Sequence, residues 1–215
     1  MNKGWRSVLA VLAILMAGST VLYSVTRGFR AVTADGARQI DLMEHPRAVA
    51  PLVLVDQRGR RFLLSALPSG SAEWTVATLA YTHCITICRT SASGLAYIQG
   101  ALGSYGLSGK VQLLTLSFDP ARDTPAVLAR YAQGQGAQPG LWQFATVSDR
   151  RDLSVLLKLF GIVVLPDGLG GYAHNAALFL IDGNGRIVRA YDVDRPDSLL
   201  ADLVQAEKQA EKCCG

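Results

Sequence analysis

Residues 74–81, WTVATLAY, form a continuous β-rich run whose only polar residues are two threonines. Such a run, without polar residues at alternate positions, suits a strand covered on both faces at the centre of a sheet. Two similar runs follow, KVQLLTLSFD (110–119) and WQFATVS (142–148). After each comes a segment with helical signals. Leu95, Ile98 and Leu102 keep helical spacing until Gly103 and Gly106. Thr124 is suited to cap a helix over AVLARYAQ, with Pro125 at its first position. The run DRRDLSVLLKLFG (149–161) reads as a helix with Asp149 and Asp152 in its first turn, closed by Gly161.

Outside this β-α-β-α-β-α order lie two hairpins. PLVLVDQRGRRFLLSAL (51–67) places two apolar runs around a glycine-containing turn. HNAALFLID and RIVRAYD read as strands joined by Gly183-Asn184-Gly185. A last amphipathic helix is expected over 197–212. The order implies an α/β domain whose mixed central sheet is flanked by helices, with a β-hairpin at its N-terminal side.

Ahead of the domain, twenty uncharged residues, SVLAVLAILMAGSTVLYSVT, lie between Arg6 and Arg27. As a helix they would cover about 30 Å, the depth of a bilayer's hydrocarbon core. The competing reading is a signal peptide, since MNKGW is basic and MAGS offers small residues, but the apolar run continues beyond MAGS through Val25. A retained single transmembrane helix over 1–27 is therefore expected, then a tether over 28–50, the domain over 51–205 and a tail over 206–215. Lys3 and Arg6 on one flank against Arg27, Arg30 and Arg38 on the other leave orientation undecided by charge. The net charge of +4 shrinks to +1 beyond residue 27, where 18 basic face 17 acidic groups. With no basic stripe interleaved with aromatics, nucleic acid is not an expected partner. Four cysteines are too few for a disulfide scaffold of 215 residues.

The chemistry gathers where the first central strand hands over to its helix, in LAYTHCITICRTSASGL (79–95). Cys84 and Cys88 at such a junction meet unpaired N–H groups and the positive end of a helix dipole, which favour thiolate. If both were helical, their Cβ atoms would stand about 5–6 Å apart, wide for a disulfide but suited to two sulfurs converging on one ion. A buried, inert pair is the plainer alternative. Two thiolates suit Cu(I) or Zn, and a neutral nitrogen would complete a trigonal copper site. Of the three histidines, His45 falls in the tether and reads as solvated. His83, adjoining Cys84, should point to the opposite face of the strand. His174 opens the strand after the glycine-rich PDGLGGYA, where it can lie beside the cysteine loop.

The C-x3-C after a buried strand, SFDPARDTPAVLARYA downstream and YAHNAALFLIDGNGRIV near the end together resemble the SCO/SenC family, over roughly residues 50–205. The resemblance implies a thioredoxin-like fold tethered to a membrane. It also implies copper, as Cu(I) or Cu(II), held by Cys84, Cys88 and His174. The implied role is a copper chaperone, not an enzyme, delivering its cargo to the dinuclear copper centre of cytochrome c oxidase during assembly. Its expected partners are the copper-accepting oxidase subunit, an upstream copper donor and the membrane. The domain would sit outside the cytoplasm, on the periplasmic face of the inner membrane in a bacterium. The alternative is a thiol–disulfide oxidoreductase in which Cys84 and Cys88 are the redox-active pair, keeping the acceptor's cysteines reduced. The three-residue spacer, and the lack of a proline just before His174, count against a general reductase. Asp119 and Asp123 would lie near the site with local turn and cap roles, since carboxylates are poor partners for Cu(I). The chain departs from the family pattern in carrying Ile85, Thr86 and Ile87 between the cysteines, Asn175 where serine is common, and Cys213-Cys214 at the end. That terminal pair could form a vicinal disulfide, bind a second soft metal, or sit in a loose tail.

Overall fold

The computed structural model describes residues 3–25, 34–84 and 87–214. Helix α1 (Lys3–Val25) is followed by α2 (Ala34–Glu44), β1 (Arg47–Ala48), β2 (Val53–Asp56), β3 (Arg61–Leu63) and β4 (Trp74–Ala80). Next come α3 (Ile87–Ala101), β5 (Val111–Ser117), α4 (Pro125–Gly134), β6 (Trp142–Val147) and α5 (Leu153–Phe160). The chain closes with β7 (Val164–Pro166), β8 (Tyr172–His174), β9 (Leu178–Ile181), β10 (Arg186–Tyr191) and α6 (Pro196–Cys214).

Eight strands form one mixed sheet in the order β1-β10-β9-β4-β5-β6-β2-β3. The three apolar runs lie parallel at its centre, Val76 pairing with Leu113 and Leu113 with Trp142. Strand β9 runs antiparallel to β4, and the expected hairpin β2–β3 completes the far edge against β6. The continuity of these runs has the expected cause, burial on both faces. On one face Val76, Leu113, Leu178 and Leu180 pack with Leu95, Ile98, Leu128 and Leu203 of α3, α4 and α6. On the other, Ala77, Leu79, Leu114, Phe179 and Ile181 pack with Leu156 and Phe160 of α5. Successive strand residues thus feed opposite cores.

Local signals act largely as read. The Thr124 hydroxyl accepts from Val127 N at 3.4 Å with Pro125 in the first helical position. Gly161 ends α5 at φ 65°, a left-handed conformation that other residues resist. Helix α5 itself is shorter than expected, because Arg150–Asp152 form a 3-10 turn capped by the Asp149 carboxylate.

Three boundaries differ from the sequence reading. The expected tether is folded from Ala34 onward: Leu42 of α2 is 1% exposed, and β1 extends the sheet by pairing Arg47 with Ile187. The helix is short and half polar, so its few apolar contacts were invisible without the surface they meet. The expected tail from 206 continues α6, and Glu207 is buried where it accepts from Trp74 Nε1 at 3.3 Å and pairs with Lys110. Finally, HNAALFLID is not one strand. His174 ends β8, which pairs only with β7, and β9 starts at Leu178.

Helix α1 carries, over Ser7–Val25, a mean hydropathy of 2.2 with none of that stretch buried in the protein, so it is long and apolar enough to cross a membrane. Docking of α2 is expected to matter for stability. Leu42→Ala should cost about 2–4 kcal/mol, measured as a lowered urea midpoint, whereas a side chain on a mere tether would leave the midpoint unmoved.

Candidate metal centre

The carboxyl ends of β4 and β5 present two aromatic residues side by side, Tyr81 and Phe118, with ring centroids 5.2 Å apart. Onto them folds the β7–β8 hairpin. Tyr172 meets Tyr81 edge-on at 5.3 Å, and the His174 ring lies 4.9 Å from Phe118 and 6.2 Å from Tyr81. The Tyr81 hydroxyl accepts from Tyr172 N at 3.0 Å and reaches the Tyr172 carbonyl at 3.4 Å, which ties strand end to hairpin. The backbone carbonyl of Tyr81 accepts from Cys84 N at 3.2 Å. Tyr81 therefore touches both the loop with the first cysteine and the element with the histidine. Cys84 is buried, 8% exposed, in the same apolar cluster as Tyr81 and Phe118.

His174 is held as a neutral imidazole. Burial pushes its pKa below 6.5, only partly opposed by a hydrogen bond to the Asn175 backbone. That contact, Nδ1 to the Asn175 carbonyl at 2.8 Å, requires Nδ1 to carry the proton, because a carbonyl cannot donate. The lone pair then resides on Nε2, the tautomer in which a metal-binding imidazole donates through its other nitrogen.

The hairpin is held at both ends. Asn175, which sequence comparison marked only as a departure from serine, donates from Nδ2 to Gly161 O at 3.1 Å and accepts from Val163 N at 2.7 Å. Its tip is closed by Asp167, which accepts from Leu169 N at 2.7 Å and Gly171 N at 2.9 Å. Gly171 leaves room for these contacts: a Cβ there would stand 2.5 Å from Asp167 Oδ2 and 2.9 Å from the Tyr81 hydroxyl, so one of those side chains would have to shift. Arg122 binds Gly170 O at 2.7 Å and lies 5.3 Å from the Tyr172 ring centre.

The two acids near the site are occupied. Asp119 pairs with Arg122. Asp123, fully buried, accepts from Thr82 N at 3.0 Å, Thr82 Oγ1 at 2.6 Å and Ser117 Oγ at 2.5 Å. Its role is thus not local, as the sequence suggested. It fastens the cysteine loop to the end of β5, a long-range tie that no spacing reveals. Neither acid is placed as a metal ligand. His83 is exposed and meets Thr82 Oγ1 at 3.2 Å, while the His45 side chain is 71% exposed beside Asp41. Among the described residues no three His, Cys, Asp or Glu side chains gather as a metal site. Ile85 and Thr86, and the side chains of Ile87, Cys88, Cys213 and Cys214, lie outside the described residues. The donors that are described fit a soft ion: one sulfur and one neutral imidazole on a shared aromatic support.

The model of the SCO1/SenC family matches residues 40–208. This chain belongs to the SCO1/SenC family. It is 26% identical over 177 residues to the SCO1 protein homolog of Bacillus subtilis, covering 80% of this chain and 88% of that one. A SCO1/SenC family lipoprotein from Bacillus anthracis superposes with a TM-score of 0.66 at 23% identity, covering 76% of this chain and 98% of that one. ScoI of Bradyrhizobium japonicum, solved with copper bound, gives 0.59 at 25% identity over 74% and 98%. The fold of this SCO1/SenC protein is thioredoxin-like, as the sequence resemblance implied. The matched range begins within α2, ahead of the 51–205 expected for the domain.

Two outcomes follow. Asp123→Ala leaves the Thr82 and Ser117 donors buried without their acceptor, so stability should fall by about 3 kcal/mol and Cys84 should react faster with thiol reagents, followed by urea denaturation and labelling rates. The pH effect of His174 runs in one direction. With the folded pKa below 6.5, the unfolded chain takes the proton first, so its contribution is intact above that pH and is lost as pH falls through 6.5 toward the folded value. Unfolding free energy measured against pH should show a smaller acid decline in His174→Gln.

Proposed function

We propose that this protein is a membrane-anchored copper chaperone that delivers copper to the dinuclear copper centre of cytochrome c oxidase during assembly, its domain lying outside the cytoplasm. The ligands are Cys84 and Cys88 as thiolates and His174 through Nε2. The observation that carries this reading is the preparation of His174: half-buried, neutral, with Nδ1 committed to Asn175 and its ring set against Phe118 and Tyr81, whose carbonyl also receives Cys84 N. Membership of a family with copper-bound relatives gives that preparation its meaning.

Loading displaces a proton from any donor that is protonated, so affinity weakens in acid. Three donors leave copper open to a fourth, and an acceptor ligand can enter before a resident one leaves. The cargo arrives from an upstream donor and departs to the oxidase subunit by the same exchange. The donors come from two separate elements, the cysteine loop after β4 and the β7–β8 hairpin. Each can be lost in turn while the other still holds the ion. Thiol–disulfide chemistry at Cys84 and Cys88 is the competing reading, and it makes no use of the imidazole.

Anaerobic titration of the reduced protein with Cu(I) separates the two. The parent and a form truncated before Cys213 should each bind one tightly held ion at the site, with any further ion in the parent assigned to the terminal pair. Cys84→Ser and His174→Ala should lose tight binding, with His174→Ala keeping its thiol reactivity. Retention of one tightly held ion by both substituted forms would reject the site. Unchanged copper binding in His174→Ala alone, with thiol exchange abolished in Cys84→Ser, would favour the reductase.

A further inference from the structure

The β7–β8 hairpin has two faces. The pairing of Val164 with His174 and of Pro166 with Tyr172 turns Val164, Tyr172 and His174 toward the aromatic support. The alternate residues face away: Val163 is 60% and Leu165 59% exposed, with Ala173 exposed opposite Leu165. At the tip Leu169 is 92% exposed. From Gly161 to Leu178 the only ionisable side chains besides Tyr172 are Asp167 and His174. The first is taken up by backbone N–H groups of the tip, and the second lies on the inner face. Solvent therefore meets an uncharged apolar surface gathered on one face, the kind that marks a contact rather than the scatter of a free surface.

The chain itself limits what can cover that surface. Helix α2 is fastened to the base of the hairpin by Arg38, whose side chain is 9% exposed. Its guanidinium reaches Gly161 O at 3.4 Å and Ala176 O at 3.5 Å, is paired with Asp35 at 2.8 Å and lies 5.6 Å from the Phe179 ring centre. Burial at this clamp lowers the Arg38 pKa, and its Nε finds no hydrogen-bond partner among the described residues. Between Val25 at the end of α1 and Ala34 at the start of α2 stand residues 26–33. Fully stretched, such a segment reaches only about 30 Å. Arg27 and Arg30 within it suit an anionic lipid surface.

With α1 in a bilayer, the start of α2 is thus confined to within about 30 Å of the lipid, and the hairpin base lies one helical turn and an arginine side chain, about 10 Å, beyond it. We propose that Val163, Leu165 and Leu169 rest in the interfacial zone of the bilayer that α1 spans, so that the hairpin, with His174 on its inner face, is held at the membrane surface. This rests on the membrane-anchored reading above. An acceptor would then meet the site close to the bilayer, side-on to the hairpin rather than across its outer face.

The test uses the full chain in vesicles of phosphatidylcholine and phosphatidylglycerol, with bromine placed near the top of the acyl chains. The parent reports on the anchor through Trp5, against the constant signal of Trp74 and Trp142. The hairpin is read in a Trp5→Phe, Leu169→Trp form, whose substituted tip position is almost fully exposed and bears little on folding. The expected result is blue-shifted emission from the tip with roughly twofold quenching by the brominated lipid, reduced when Leu165→Ser is added. Quenching of Trp5 without quenching at the tip would overturn hairpin docking and leave the anchor standing. Absence of both would overturn anchor and docking together. Shielding at the tip that arises only on adding a soluble copper-accepting domain would assign the surface to a protein and overturn the lipid proposal.

Discussion

The carboxyl end of the sheet is organised around Tyr81. Its carbonyl receives Cys84 N, its hydroxyl joins Tyr172, and its ring stands between Phe118 and the hairpin that bears His174. Each contact alone is modest. An aromatic pair adds about 0.5–1.5 kcal/mol beyond burial and a hydrogen bond about 1 kcal/mol. Their convergence on one residue at the end of a central strand gives two distant stretches of chain a common reference. The strand is rigid because both its faces are buried, and that rigidity reaches the site through Tyr81.

A second tie is electrostatic. Asp123 is fully buried, and its three donors come from Thr82 and Ser117. Thr82 lies two residues before Cys84, so the carboxylate fixes the cysteine loop against the end of β5. Arg122, the residue before it, reaches the other way to Gly170 and Tyr172 of the hairpin. Adjacent residues in one short turn thereby grip both elements of the site. This gives a structural use to the loop FDPARDTP that does not require its acids to bind metal.

The central strands, the helices after them and the glycine at the end of α5 were legible because each is dictated by neighbours in sequence: a continuous β-rich run, a cap, a left-handed residue. The candidate histidine came from the family resemblance, its place at a loop-to-strand boundary only making it one to consider. Asp123, Asn175 and Tyr81 were not legible, since Thr82, Val163, Gly161 and Tyr172, which they hold, lie 12 to 91 residues away. Residues 34–50 misled for the same reason: α2 owes its place to Leu42 and Arg38 meeting a surface built from residues far downstream. The break after His174 was hidden because alternating apolar residues continue through it. Asn175 turns its side chain back to Gly161 and Val163 at that point, and the ladder with β7 ends.

That break bears on how a carrier differs from a permanent metal site. Had His174 stood within β9, it would have been fixed by a ladder on the central strand, as rigid as the core. On a hairpin joined to the domain by Arg38 and Asn175 at its base and Tyr81 at its middle, it is positioned by a countable set of side-chain contacts. Such contacts hold the imidazole in one tautomer and orientation, yet they can yield together without unfolding the sheet. A cargo that must be both held and surrendered calls for donors on elements of unequal stability. On the reading of this protein as a copper carrier, Cys84, buried just beyond the end of β4, would stand on the firm side and the two-stranded hairpin on the yielding one. Because Arg38 of α2 clamps the base of that hairpin, the proposed bilayer contact would make the distance to the lipid a determinant of where exchange can occur.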